Sequence, residues 1–190
     1  MKGGRWPGMG VAAEALTAAR RALELADETA RTIYPVERDY VRAHWLLGAA
    51  HRAGGDYAEA ERHLTESLTR GRSNNTVEAE ADILIDFARL RAAMDDREEA
   101  QRLAQEALEI TERCGYVLQG ADAHLELAKL ALSGDRSGLP DPTGLALQHA
   151  REARKLARCD GASQGDEPDY TYKVAYDEAG ALLVQLGVSG

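Results

Sequence analysis

Apolar residues recur along this chain at steps of three and four, the spacing that gathers them on one side of an α-helix. Residues 39–52 and 57–70 form two such blocks, parted by Gly54-Gly55-Asp56, where glycine allows the positive φ that a chain reversal needs. Gly48, Ala60 and Ser67 put small side chains where the blocks would touch. The pattern predicts a helical hairpin. It returns 40 positions later, with 81–91, the turn Met94-Asp95-Asp96 and 99–108 in matching places. A third copy follows at the same stride, from 121–131 through Ser133-Gly134-Asp135 to Ala146, Ala150 and Ala153.

The flanks carry halves of the same unit. Ala12, Leu16, Ala19, Leu23, Ala26, Ala30 and Ile33 predict a long helix over 11–33, stopped before Pro35. Its Ala15, Ala19, Ala22 and Leu23 repeat the spacing of Ala60, Leu64, Ser67 and Leu68, as the second helix of a repeat without its first. A unit of this kind cannot bury its apolar side alone, so this flank is expected to meet upstream chain or a second copy. The Gly-rich residues 1–10 are expected to be a disordered leader. Residues 71–76 are a polar break, in which Asn75 and Glu78 have the spacing of a capping box for a helix over 76–94. Residues 97–114 complete the second hairpin, and Gly115 ends it.

The third first helix is predicted over 119–132. The longer connection at 133–144 holds an insertion, and Asp141-Pro142 starts the next helix. Residues 159–169 are expected to be a flexible linker. The final helix, 170–187, repeats the spacing of His44, Leu47, Gly48, His51 and Gly55 in Tyr176, Ala179, Gly180, Leu183 and Gly187, and is expected to cap the array at 11–158.

Composition sharpens this picture. Hydrophobic residues make up 44% of the 190 residues, enough for a core, while only 5% are aromatic, which favours close-packed helices over a sheet sandwich. A net charge of −9 opposes a broad nucleic-acid or anionic-membrane surface. No apolar run approaches the ~20 residues of a membrane span, and the first residues lack the apolar centre of a signal peptide, so a cytoplasmic protein is expected. Cys114 and Cys159 have no CxxC spacing and are expected to be reduced.

Catalytic patterns find little support. His44 and His51 lie two helical turns apart, and His63, His124 and His149 are scattered over other helices without a metal-binding motif. They are expected to pack or face solvent. Gly161-Ala162-Ser163-Gln164-Gly165 matches the nucleophile-elbow pattern, but in a polar linker with no preceding strand to strain the serine, so it is a chance match. No phosphate-binding glycine motif occurs in the sequence, and no cofactor or metal is expected.

The recurring residues resemble the tetratricopeptide repeat (TPR). Its pattern is met by His44, Leu47, Gly48, His51, Ala60, Leu64 and Ser67, then by Leu84, Phe87, Ala88, Arg91, Ala100, Ala104 and Ala107. His124, Leu127, Ala128, Ala131, Ala146, Ala150 and Ala153 form the third set. The resemblance spans about 11–187, and the long repeat is similar to the C-terminal arms of bacterial STAND-type signalling NTPases. It implies an all-α, right-handed α-solenoid of about three full repeats with a half repeat at each end.

It also implies a concave groove lined by the first helices, with Arg42, Trp45, Arg52, Asp82, Ile85, Arg89, Asp122, Leu125 and Lys129 pointing into it. Trp45 is then the aromatic anchor, and Arg42, Arg52, Arg89 and Lys129 meet acidic groups of a protein or peptide. The chaperone-type carboxylate clamp of the family is not reproduced by Trp45, Ala49, Ile85, Asp86 and Arg89. Three roles follow in order of support: a non-catalytic interaction module in the sensor or scaffold arm of a larger bacterial signalling protein; a stand-alone repeat protein that senses peptides or self-associates through its uncovered first helix; and a small-ligand-binding helical protein.

Overall fold

The computed structural model describes residues 7–133, 141–159 and 171–188. Among them are eight helices: α1 (Pro7–Thr32), α2 (Glu37–Gly54), α3 (Tyr57–Ser73), α4 (Val77–Ala93), α5 (Arg97–Cys114), α6 (Val117–Ser133), α7 (Pro142–Ala157) and α8 (Lys173–Gln185). The described residues are all-α and form TPR-like helical hairpins. It divides into two compact units, Met1–Leu90 and Arg91–Gly190.

The repeat is written in the turns. Gly55, Asn75, Asp95 and Gly115, twenty residues apart, all have positive φ, at 82°, 55°, 63° and 72°. After each, an amide reaches back five residues: Asp56 to His51, Thr76 to Gly71, Asp96 to Arg91 and Tyr116 to Thr111, at 2.9–3.0 Å. These are Schellman closures, which satisfy the last carbonyls of one helix before the next begins. Asp56 and Asp96 then start α3 and α5 by accepting from the amides of Glu59 and Glu99, and Asp141 does the same for Gly144 in α7.

Asn75 is therefore not the N-cap its spacing with Glu78 suggested. It is the left-handed residue of the turn, a conformation that asparagine tolerates better than most side chains. Other limits move as well. α1 begins at Pro7, inside the stretch expected to be a disordered leader, and ends before Ile33, which is exposed. α6 starts at Val117 and α8 spans a shorter stretch than 170–187. The Gly161–Gly165 motif and most of the expected linker lie outside the described residues.

Within the first unit, α2 packs between α1 and α3. At Gly48 α2 and α3 come close enough to exclude a side chain: a Cβ there would lie 2.6 Å from Leu64 Cγ. Leu64 and Ala60 are completely buried, and the Ser67 hydroxyl donates to the Val41 carbonyl at 2.7 Å. Full burial of a leucine such as Leu64 contributes about 1.5–3 kcal/mol. On the outer side Tyr40 donates to Asp27 at 2.9 Å, tying α2 to α1.

In the second unit, α6 packs on α5 and α7, and α8 lies on α7 and α6. One cluster of its core is nearly all alanine: Ala121, Ala153, Ala157, Ala175 and Ala179 surround Leu125, with Leu156, Tyr172, Tyr176 and Leu182 packed against them. Ala128, Ala150 and Leu183 continue it. Where the chain leaves α7, Arg158 pairs with Thr171 in one antiparallel bridge, and Tyr172 N–H bonds to the Ala157 carbonyl at 2.8 Å. Cys114 and Cys159 are free and exposed. No helix among the described residues is long and apolar enough to cross a membrane.

Candidate functional site

Helical periodicity places one acidic residue, Asp86, in the middle of α4 on the side facing α2. It is 5% exposed, a costly position for a carboxylate unless donors surround it. Three do. Trp45 Nε1 donates to Oδ2 at 2.7 Å, while Arg52 and Arg89 reach Oδ1 at 3.2 Å and 3.4 Å. Trp45 and Arg52 come from α2 and Arg89 from α4, so the acid fixes side chains of two successive first helices. The arginines keep 26% and 28% of their side chains exposed, which leaves their outer edges open to solvent.

The expected groove residues thus divide. Arg42 is exposed and Asp82 half-buried. Trp45, Arg52 and Arg89 gather around Asp86. Ile85, at 2% exposure, belongs to the core instead. In the second unit Leu125 is likewise core, covered by alanines of α7 and α8. Asp122 accepts from the Tyr172 hydroxyl at 3.0 Å. Lys129 bonds Glu178 of α8 at 2.8 Å and lies 4.0 Å from the buried Glu126. Arg52, Lys129 and Asp122 thus each bond a residue outside their own helix, while Arg89 pairs within its own.

The histidines give a clearer correction. They are not scattered. His44 and His63 meet across the α2–α3 hairpin with their Nδ1 atoms 2.9 Å apart, and His51 stacks on His63 with ring centroids 5.6 Å apart. His124 and His149 form an equivalent pair across α6 and α7, Nδ1 to Nδ1 at 2.8 Å. Burial is the first cause of depressed basicity in all four paired rings, and His63, also facing Arg62, His44 and His51, is pushed down to about 4. The signal was present in the sequence: in register, His44 and His63 correspond to Leu84 and Leu103, then to His124 and His149.

Glu59 lies beside this cluster, its carboxyl held below the usual range chiefly by hydrogen bonds from Arg62 at 2.7 and 3.1 Å. In the second unit a cleft of about 270 Å³ opens between α5, α6 and α7, with Glu112, His124 and Glu152 as polar lining. His124 there is already engaged with His149.

Residues 39–113, which run through α2 to α5, match a family model described as tetratricopeptide repeat. No curated protein and no solved structure matches the chain.

Proposed function

We infer, from the tetratricopeptide-repeat match over residues 39–113 and the buried Asp86 network, that this chain is a non-catalytic module that docks a protein segment. Repeats of this family generally mediate protein–protein interaction and are typically non-catalytic. The reading rests chiefly on Asp86. By holding Arg52 and Arg89 in fixed positions, with Arg42 exposed one helical turn before Trp45, it prepays the side-chain ordering that binding would otherwise cost. Such a surface suits an acidic segment carrying an apolar residue to set beside Trp45. The role favoured is the sensor or scaffold arm of a larger cytoplasmic bacterial signalling protein, a reading supported by the long-helix repeat.

The test uses peptides selected from a random displayed library against the whole chain. Arg42→Glu should weaken the selected peptides about tenfold or more and lower the salt sensitivity of binding, while leaving the melting temperature unchanged. Arg151→Glu, on exposed α7 surface, should leave affinity intact. Peptides that bind both variants equally, or a library that yields no binder, would overturn the reading. Arg89 is a poorer probe, because reversing its charge would set an acid against buried Asp86.

Self-association is a second reading, favoured by the exposed apolar side chains Leu25, Ile33 and Tyr34 on and just after α1.

A further inference from the structure

The Gly54-Gly55-Asp56 turn folds α3 back on α2, so residues at equal distance from Gly55 come to the same end of the hairpin. His51 stands four before it and Glu59 four after, and His63 follows Glu59 by one helical turn, on the same face. One nitrogen or oxygen of each of the three side chains lies within 4.8 Å of the others. His63 is buried, His51 is nearly so, and the Glu59 side chain keeps 42% of its exposure. The cluster therefore has two imidazoles seated in protein and a carboxylate on its solvent side.

Hydrogen bonding fixes which nitrogens carry lone pairs. Arg62 Nη2 lies 2.8 Å from His63 Nε2. A guanidinium only donates, so Nε2 accepts and the proton of His63 sits on Nδ1. That proton is given to His44 Nδ1 at 2.9 Å. His51 Nδ1 lies 3.3 Å from Asp56 Oδ2, close enough for the carboxylate to favour a proton on that nitrogen and a lone pair on Nε2. His63 thus has its far nitrogen held by an acceptor and His51 has a carboxylate beside its own, the kind of support that metal-binding histidines have. Asp56 serves twice, since its other oxygen caps α3 at Glu59 N–H.

We propose that His51, His63 and Glu59 form a binding site for a divalent transition-metal ion of the zinc class, with Arg62 as its built-in competing cation. Two imidazole nitrogens and one carboxylate oxygen suit zinc and do not suit calcium or magnesium, which take oxygen ligands. The fourth position faces solvent beside Glu59 and is open to water or to a side chain of a bound partner. Arg62 covers the same lone pair of His63 and holds Glu59. Its own side chain is 58% exposed, and it leaves by turning into solvent, giving up its hydrogen bond to His63 and a surface ion pair with Glu59.

The experiment is zinc titration of the whole chain with Zn²⁺ alone, read by competition with a chromophoric chelator. One ion is expected per hairpin site. His51→Gln and His63→Leu should each weaken binding by about tenfold or more. Leucine is the natural choice at 63, because Leu103 occupies the matching position in the next repeat and is buried. Arg62→Gln should tighten binding severalfold, a gain that misfolding cannot produce. His149→Leu, in the other histidine pair, should leave affinity unchanged. Zinc affinity indifferent to His51 and His63, an Arg62→Gln variant that binds no tighter, or equal affinity for Mg²⁺ would overturn the site.

Discussion

Trp45 Nε1 donates to Asp86 Oδ2 at 2.7 Å, fastening α2 to α4 through residues 41 apart in the chain. With Arg52 and Arg89 on the other oxygen, the carboxylate is the shared acceptor of three donors. Removing it leaves the Trp45 N–H and the Arg52 guanidinium without their acceptor, and Arg89 with one fewer, in a largely dry place. Asp86→Ala should therefore cost about 2–3 kcal/mol, at the low end for a broken buried pair because the arginines are partly wet. Asp86→Asn, which keeps an acceptor, should cost less. Urea denaturation of both variants checks this, and equal losses would show that charge rather than hydrogen bonding carries the tie.

Trp45→Phe keeps most of the ring and removes the donor. On its own it should cost about 1–2 kcal/mol, and clearly less when Asp86 is already alanine. A double-mutant cycle measures the difference. Strict additivity would mean the two residues do not cooperate.

Gly48 and Gly54 both lie in α2, and alanine should act on them with opposite sign. At Gly48 a Cβ would fall 2.6 Å from Leu64 Cγ and 3.2 Å from the Ala60 carbonyl, so overpacking outweighs the helix preference of alanine, for a net loss of about 1–2 kcal/mol. Gly48→Leu should prevent the hairpin from closing. Nothing lies within 4 Å of a Cβ at Gly54, where alanine should be neutral or stabilising by up to about 1 kcal/mol. Thermal melts of the two alanine variants settle the signs.

His124 and His149 make the second unit sensitive to acid. Burial lowers both, Glu152 opposes and Lys155 reinforces the shift at His124, and Glu112 lines the same cleft from α5. Because the folded state holds these bases below their ordinary value of 6.5, their contribution is fully present above that pH. It is lost as the pH falls from there towards the lower folded values, where the unfolded chain takes up protons first. The melting temperature should drop between pH 7 and pH 5. The double variant His124→Leu with His149→Leu, which copies Leu84 and Leu103 of the middle repeat, should lessen that drop, leaving the share of the similarly depressed His44 and His63.

Self-association through α1 predicts a dimer in sedimentation that Leu25→Glu converts to monomer. A wild-type chain that stays monomeric at high concentration would remove that reading.

The helices and turns were legible because their causes are local. Apolar spacing marks the buried stripe of each helix, and Gly55 and Gly115 mark reversals that need a left-handed residue. Asn75 is ambiguous in the sequence because asparagine serves both as a helix cap and as a left-handed turn residue, and spacing to Glu78 does not distinguish them. Ile85 and Leu125 were assigned to a groove by position within the repeat. Periodicity fixes the direction in which a side chain leaves its helix, but not whether another element covers it; in the second unit the cover over Leu125 is α8, distant in sequence. The histidine cluster escaped for a similar reason. Its members lie on opposite arms of a hairpin, and only their register against Leu84 and Leu103 joins them along the chain.

The alanine core beneath α8 has an asymmetric tolerance to change. Ala153, Ala157, Ala175 and Ala179 are wholly enclosed yet each carries a single methyl, so trimming one forfeits little contact while lengthening any of them pushes two backbones apart. Shrinking one to glycine costs about 1 kcal/mol of lost helix preference, while growing one must move a helix. The last helix is thus held by close fit as well as by apolar burial, and only the fit is intolerant of added bulk.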